Sequence, residues 1–546
     1  MGHPTSHGGR HRALTVGAAL LSGVMLLSAC SGGSGGSEQR GEDEESRPSE
    51  ESTPAARAYP GVPDAISQQR LSWDPCEAPT AAQGGGEAPG ELDDGTPWQC
   101  ATLTVPLDYQ EPDGETIGIA LIRATSTAEG DARQGSLIYN FGGPGGSGVF
   151  TLPLLGEQYE TLREGYDLVS FDPRGVGESA GVQCLDSEEI DRQEQENGAL
   201  PRTEAEAERY AELAAEYVAA CEAAAGDVLP HLSTANTARD MDLMRHVLGD
   251  SRLHYFGISY GTELGGVYAN LFPEQVGRAV LDAVVDPSAD FVESSLGQVR
   301  GFQLALENFM ADCVDTYGED CPTGRGGAEG SALLADLLAE LAEEPLETGG
   351  DRLLTEQLAL LGIVATLYDQ EYWEYLTVGL MQAFEGDGQV LLLLADSYLG
   401  RDEDGRYSNQ RDAQAAITCA DSTGQRDPEA IEENRAAFEE ASPVFGPYLL
   451  WSLAGCAGWP VDGEAQTPEV AAEGAPEILL IGTTGDPATP YEGAERMQRE
   501  LGEGVGVLLT FDGEGHGAYG QDACIDDAVE EYLLSGMVPQ NGLVCG

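Results

Sequence analysis

At 546 residues, with 41% hydrophobic side chains, the chain is long enough for a sizeable core and a second unit. Its 27 basic residues, all arginine, stand against 95 acidic ones, for a formal charge of -68. So acidic a surface repels phosphate backbones and speaks against a nucleic-acid partner; its plain reading is a solvated, soluble surface, the other reading being steering of a cationic ligand.

The N-terminus reads as an address. Arg10 and Arg12 precede an apolar run at 13–27, too short for an ordinary transmembrane helix, which ends Leu27-Ser28-Ala29-Cys30. This end resembles a bacterial lipobox, in which the cysteine is lipidated and becomes the new N-terminus; an ordinary signal peptide with an incidental Cys30 is the alternative. Residues 1–30 are therefore expected to be a lipoprotein signal peptide and 31–60 an acidic, Gly/Ser-rich linker. No other segment is apolar for long enough to span a bilayer. The expectation is an exported protein, lipid-anchored on the outer face of the cell membrane or secreted, with membrane contact through the lipid alone.

The cysteines agree with export. There are 11, and setting Cys30 aside leaves an even number in an oxidising compartment. Their spacings suggest sequential pairing: Cys76 with Cys100, Cys184 with Cys221, Cys313 with Cys321, Cys419 with Cys456, Cys524 with Cys545. Sequence alone does not fix the connectivity. No C-x-x-C occurs and the seven histidines are scattered, so no metal is expected.

Along the mature chain, short apolar runs predict strands at 136–141, 166–172, 253–259, 278–285, 477–484 and 505–511. They are rich in β-branched residues and do not strictly alternate, as in strands buried on both faces of a parallel sheet. The first run opens into Phe141-Gly142-Gly143-Pro144-Gly145-Gly146-Ser147-Gly148, whose glycines let backbone N–H groups approach a substrate carbonyl. A phosphate cradle is the rival reading, but the G-x-x-x-x-G-K pattern is missing and the chain has no lysine. The second run closes with Pro173-Arg174-Gly175.

The third run ends in Gly257-Ile258-Ser259-Tyr260-Gly261, and Leu264, Val267, Tyr268 and Leu271 then fall at helical spacing before Pro273. G-x-S-x-G is weak alone in a glycine-rich chain, but strand before and helix after are the context of a nucleophile elbow. Ser259 is the candidate nucleophile, with the N–H of Tyr260 and that of Gly143 (or Gly142) as oxyanion donors. After the fourth run, residues 287–460 carry helical patterns; Leu334, Leu337, Leu338 and Leu341 make one apolar stripe, and Leu380, Met381 and Phe384 begin another. A helical block here predicts a cap, dividing the fold into core 61–286, cap 287–460 and core 461–546. Strands alternating with helices make the class α/β, with the order of an α/β-hydrolase fold.

The fifth run leads to Asp486 in Gly485-Asp486-Pro487-Ala488-Thr489-Pro490. An aspartate there can orient the imidazole of a catalytic histidine; it can also simply cap a turn. Asp282 and Asp286, after the fourth run, are rivals for the role. The base follows by elimination, because in this fold the order is Ser, acid, His, and only His516 follows Ser259.

Three segments together carry a family resemblance: Asn140 through Gly148; Phe171-Asp172-Pro173-Arg174-Gly175-Val176-Gly177-Glu178-Ser179; and Gly257 through Gly261 continued by Thr262-Glu263-Leu264-Gly265. With Leu367-Tyr368, Trp373, Ala416-Ile417-Thr418-Cys419-Ala420-Asp421 and Gly485 through Pro490, the chain from about 65 to 546 resembles the tripeptidyl aminopeptidase branch of the proline iminopeptidase-like hydrolases. The resemblance implies release of short peptides, often tripeptides, from free N-termini, with Ser259, Asp486 and His516 as triad and the Gly142-Gly143 turn in the oxyanion hole. It implies no metal or organic cofactor. Phe141 stands where proline iminopeptidases carry a histidine, which argues for the tripeptidyl type. A substrate ammonium calls for a carboxylate; Glu263, Asp369, Glu371, Glu374 and Asp421 are candidates, none singled out. Two other functions stay open: an esterase or lipase acting on small acyl esters with the same triad, and a non-catalytic surface lipoprotein.

Overall fold

Among the described residues, ten strands line up in one sheet: β1 (Asp74–Pro75), β2 (Gln99–Pro106), β3 (Thr116–Ala124), β4 (Gly135–Asn140), β5 (Tyr166–Phe171), β6 (Leu253–Ile258), β7 (Val276–Asp282), β8 (Ile478–Gly485), β9 (Gly506–Glu514) and β10 (Leu543–Cys545). The computed structural model describes residues 59–546, Asn197 excepted; Cys30, the expected signal peptide and nearly all of the expected linker lie outside the described residues. The strand order is β1-β2-β3-β5-β4-β6-β7-β8-β9-β10. Pairing is antiparallel from β1 to β5 and parallel from β5 to β10.

The six sequence-predicted runs are β4 to β9. Every residue of β4 and β5 is buried, because side chains alternate between two covered faces. Ile138 and Val169 join a core cluster on one face; Leu137, Tyr139 and Leu168 join the cluster on the other. β1, β2, β3 and β10 are additional to the predicted set. β2 and β3 form the antiparallel flank and are only partly buried, so polar and apolar residues mix along them.

The chain runs from β4 to β5 on one side and returns to β6 on the other. β4 and β6 are neighbours, with Asn140 opposite Gly257, so the Gly-rich loop after β4 and the Ser259 turn after β6 leave the sheet side by side. Open α/β sheets place their sites at this kind of switch point.

The helical block contains Phe291–Tyr317, Gly327–Glu343, Glu356–Leu367, Trp373–Phe384, Gln389–Tyr398, Gln410–Asp421 and Glu429–Ala441. Leu334, Leu337, Leu338 and Leu341 are all buried in a cap cluster of their own, each contributing about 1.5–3 kcal/mol of burial. The second predicted stripe is corrected: Leu380 is buried, but Met381 and Phe384 are 41% and 43% exposed. The face that packs is Trp373, Leu376, Leu380 and Ala383, which meets the neighbouring cap helices. Gln410–Asp421 leaves the cap cluster and packs Ala413, Ala416 and Ile417 into the main core. The structure joins the cysteines as Cys76–Cys100, Cys184–Cys221, Cys313–Cys321, Cys419–Cys456 and Cys524–Cys545. Asp522 converges on the last pair, but those sulfurs are bonded to each other and offer no thiolate to a metal.

Candidate active site

Ser259 caps the helix Tyr260–Leu271 in a conformation that L-residues avoid, φ 58° and ψ -126°. The surroundings hold it there. Its N–H donates to the Asp282 carbonyl at 3.0 Å, and its own carbonyl accepts from Thr262 N at 2.8 Å and Thr262 Oγ1 at 2.7 Å. A Cβ on Gly261 would come within 2.5 Å of the Asn140 carbonyl, so the turn closes against β4 only with glycine there. The helix beyond buries Leu264, Val267 and Tyr268, while Leu271 at its end is 37% exposed.

The Gly-rich loop lies directly on this turn. A Cβ on Gly142 would sit 2.9 Å from Ser259 Cβ and 3.2 Å from Tyr260 N. Gly142 N–H is committed to Asn140 Oδ1 at 3.1 Å. Among the described residues, the N–H groups of Gly143 and Tyr260 meet no protein acceptor. The buried Asp172 carboxylate shapes the loop's exit, accepting from Ser147 Oγ at 2.6 Å and Val149 N at 3.1 Å.

His516 follows β9. Its Nδ1 lies 2.9 and 3.0 Å from the two oxygens of Asp486, which is buried. A carboxylate only accepts, so Nδ1 carries the proton and Nε2 is left as the basic nitrogen. Asp486 also accepts from Ala488 N at 2.9 Å, Thr489 N at 2.8 Å and Thr489 Oγ1 at 2.9 Å. Turn capping and histidine pairing, alternatives in the sequence, are therefore both performed by one side chain. Burial opposes the imidazolium; the charges of Asp486 and Asp282 outweigh it and hold the His516 pKa above 6.5.

The rival acids do other work. Asp282 accepts from Ala518 N at 3.0 Å and Tyr519 N at 3.0 Å. With its carbonyl on Ser259 N–H, this residue ties the serine turn to the histidine loop. Asp286 pairs with Arg496 at 2.6 Å. Three further contacts surround His516. Thr489 Oγ1 lies 3.4 Å from His516 Nδ1; its offset of three from Asp486 was a readable signal. The Tyr368 carbonyl accepts His516 N–H at 2.8 Å, and the Tyr368 ring packs edge-to-face on the imidazole at 5.2 Å. Nothing local to Tyr368 announces that contact.

Of the carboxylates considered for an ammonium, Glu371 and Glu374 are exposed on the cap, and Asp369 caps the N–H of Glu371. Glu263 and Asp421 differ. Burial, with the nearby Glu263 charge, raises the proton affinity of Asp421, and among the described residues neither carboxylate has an ion-pair partner. Asp421 accepts from Thr234 N at 2.7 Å and Thr234 Oγ1 at 2.6 Å. Thr234 Oγ1 in turn meets the Tyr260 hydroxyl at 2.5 Å. Burial pushes the Glu263 carboxyl up to about 7.

A cavity of about 670 Å³ within the helical layer is lined by Leu200, Arg202, Glu356, Tyr448 and Trp451. None of Ser259, Asp486 and His516 borders it.

A serine held on a strained strand-to-helix turn beside unpaired backbone donors, on this strand order, defines a serine hydrolase of the α/β-hydrolase fold. The family model for the alpha/beta hydrolase fold matches residues 135–317, and the model for TAP-like protein matches 442–545. The chain is 36% identical over 501 residues to serine protease Hip1 of Mycobacterium tuberculosis, covering 87% of this chain and 91% of that protein. It is 35% identical over 498 residues to carboxylesterase B of the same organism, covering 89% and 91%. It is 34% identical over 457 residues to tripeptidyl aminopeptidase of Streptomyces lividans, covering 82% and 84%. The chain belongs to the tripeptidyl aminopeptidase branch of the α/β-hydrolase serine peptidases.

Proposed function

We propose that this protein is an exported serine peptidase that removes tripeptides or other short peptides from free N-termini. The observation that carries the reading is the Asp486–His516 pair on a turn-and-loop frame shared with the strained Ser259. In the mechanism, His516 Nε2 takes the Ser259 proton as Oγ attacks the scissile carbonyl. The N–H groups of Tyr260 and Gly143 receive the oxyanion. His516 then protonates the leaving amine, and water releases the acyl-enzyme. Asp486 keeps the proton on Nδ1 throughout and stabilises the imidazolium.

Glu263 and Asp421 support recognition of a free amine. They are two carboxylates without a protein cation, one of them a single helical turn beyond Ser259. A substrate α-ammonium would supply the missing charge. A second reading, carboxylesterase, is favoured by the relative named carboxylesterase B. The deciding experiment compares unblocked tripeptidyl anilides, their N-acylated forms and simple esters on wild type and Ser259→Ala. Cleavage of the unblocked series, lost in Ser259→Ala, is expected; activity confined to esters overturns the peptidase reading. Anchoring through lipidated Cys30 is part of the proposal. A mature protein whose mass shows an unmodified N-terminus elsewhere overturns that part.

A further inference from the structure

The helix Gln410–Asp421 has its inner face in the core, and its outer face runs along the Gly-rich loop. A Cβ on Gly145 would come within 2.4 Å of the Gln410 carbonyl oxygen, and Gln414 Nε2 lies 3.5 Å from the Gly143 carbonyl. Arg411 is three residues before Gln414 and so shares its face. The Arg411 Nη1 donates to Glu194 Oε1 at 2.7 Å. Glu194 is buried, yet 56% of the Arg411 side chain is open to solvent. Among the described residues, its Nε and Nη2 meet no protein acceptor.

Arg411 stands one helical turn from Gln414, which meets the oxyanion loop. Tyr368 packs on His516, and its hydroxyl meets that of Tyr398 at 3.4 Å. Tyr398 and Arg411 both lie within electrostatic reach of Tyr448. Tyr368 and Tyr398 thus extend from the catalytic base, with Tyr448 and Arg411 in the same electrostatic neighbourhood. In a chain of net charge -68, cations are scarce, and Arg411 keeps the Nε–Nη2 edge of its fork unused, one helical turn from the Gln414–Gly143 contact. That edge is the planar, two-donor shape that matches a carboxylate.

We propose that Arg411 is a specificity-determining residue that receives a carboxylate of the bound peptide. The proposal rests on the peptidase reading above. The carboxylate is either an acidic side chain in the released tripeptide or the C-terminal carboxylate of a short substrate. Glu194 holds the guanidinium in place through Nη1 and leaves the other edge for the ligand.

The test measures kcat/KM for unblocked tripeptidyl aminomethylcoumarins carrying Glu or Gln at each of the three acyl positions. A second arm uses tetrapeptides with free or amidated C-termini. The carboxylate-to-amide ratio is taken within each variant, so that differences in folded or active fraction cancel. Wild type is expected to favour the carboxylate by roughly 10- to 100-fold in one arm, the range of a charge-assisted hydrogen bond. Arg411→Gln brings that ratio close to one, Arg411→Lys keeps part of it, and Glu194→Gln increases it. A wild-type ratio near one in every arm, or a ratio that survives Arg411→Gln, overturns the assignment of Arg411 alone. Failure to hydrolyse any unblocked peptide overturns it together with the peptidase reading.

Discussion

His516 has to accept a proton from a buried position, and two carboxylates make this possible. Burial alone would depress its pKa; Asp486, in contact, and Asp282, near by, raise it above 6.5. Neutral imidazole is the active form, so kcat/KM should rise with pH along an acid limb whose midpoint lies above 6.5. Asp486→Asn should move that midpoint down and lower kcat by on the order of 10⁴-fold; a limb unmoved in Asp486→Asn would show that Asp486 does not set the base. For stability the sign is the reverse. The charged pair stabilises the fold fully below the unfolded-state value near 6.5 and loses its contribution as pH rises through the raised folded value. Glu263 makes a separate prediction. Burial holds its carboxyl at about 7, so its favourable contribution is complete below the ordinary carboxylate range and disappears as pH rises through about 7. Glu263→Gln removes that dependence. The variant should gain Tm relative to wild type between pH 5 and pH 8, on the order of 2 kcal/mol in stability; thermal melts with a pH-independent difference would reject the account.

At the scale of elements, Arg174 shows how a motif residue can serve the scaffold instead of the chemistry. It is fully buried, with Nε on Asp240 Oδ2 at 2.8 Å and Nη2 on Asp240 Oδ1 at 2.7 Å. Its Nη1 donates to the carbonyls of Leu107 at 3.0 Å and His231 at 2.7 Å. It therefore joins the chain just past β2, the loop after β5 and the helix Thr234–Leu248. Arg174→Met leaves the buried Asp240 charge without a cation, with the Tyr109 hydroxyl as its remaining donor, and should cost about 3–5 kcal/mol in denaturant unfolding. Adding Asp240→Leu should return part of that loss, because it removes the stranded charge; a double variant no more stable than the single one contradicts this. The sequence signals that succeeded were those with two-sided burial or strict chain order. Strands β4 to β9 are apolar on both faces, and His516 is the one histidine after Ser259. The antiparallel flank was illegible because β2 and β3 are half-exposed and mix residue types. The tyrosine pair beside His516 is illegible for another reason. Tyr368 and Tyr398 come from separate cap segments, and only their packing brings the two rings together beside His516. Helix periodicity also misassigned Met381 and Phe384, since it registers an apolar stripe without registering which neighbour covers it.

For the molecule as a whole, the imbalance of 95 acidic against 27 basic residues is the dominant long-range term. Arginines that sit inside the fold are individually paired, as in Arg174–Asp240 and Arg352–Asp396, so the unpaired surplus is negative, and apart from enclosed carboxylates such as Asp172, Asp282, Glu263 and Asp421 it lies at the surface. Like charges at the surface repel in the folded state more than in an expanded chain, and this repulsion is screened by salt. Five disulfides oppose the expansion. In the chain-entropy account, a bridge such as Cys184–Cys221, which spans 37 residues, contributes about 4 kcal/mol. The two effects can be separated. Raising ionic strength shortens the screening length from about 10 Å at 0.1 M to about 3 Å at 1 M. The oxidised protein should therefore gain Tm with sodium chloride over this range, because repulsion weakens while the buried pairs are barely screened. Reduction should lower Tm at every salt concentration and steepen the dependence, since a chain freed of its bridges expands further and relieves more repulsion. Calorimetric melts of oxidised and reduced protein at several salt concentrations measure both slopes. A Tm that falls with salt in the oxidised form would mean that surface ion pairs, not net repulsion, govern the electrostatics of this fold.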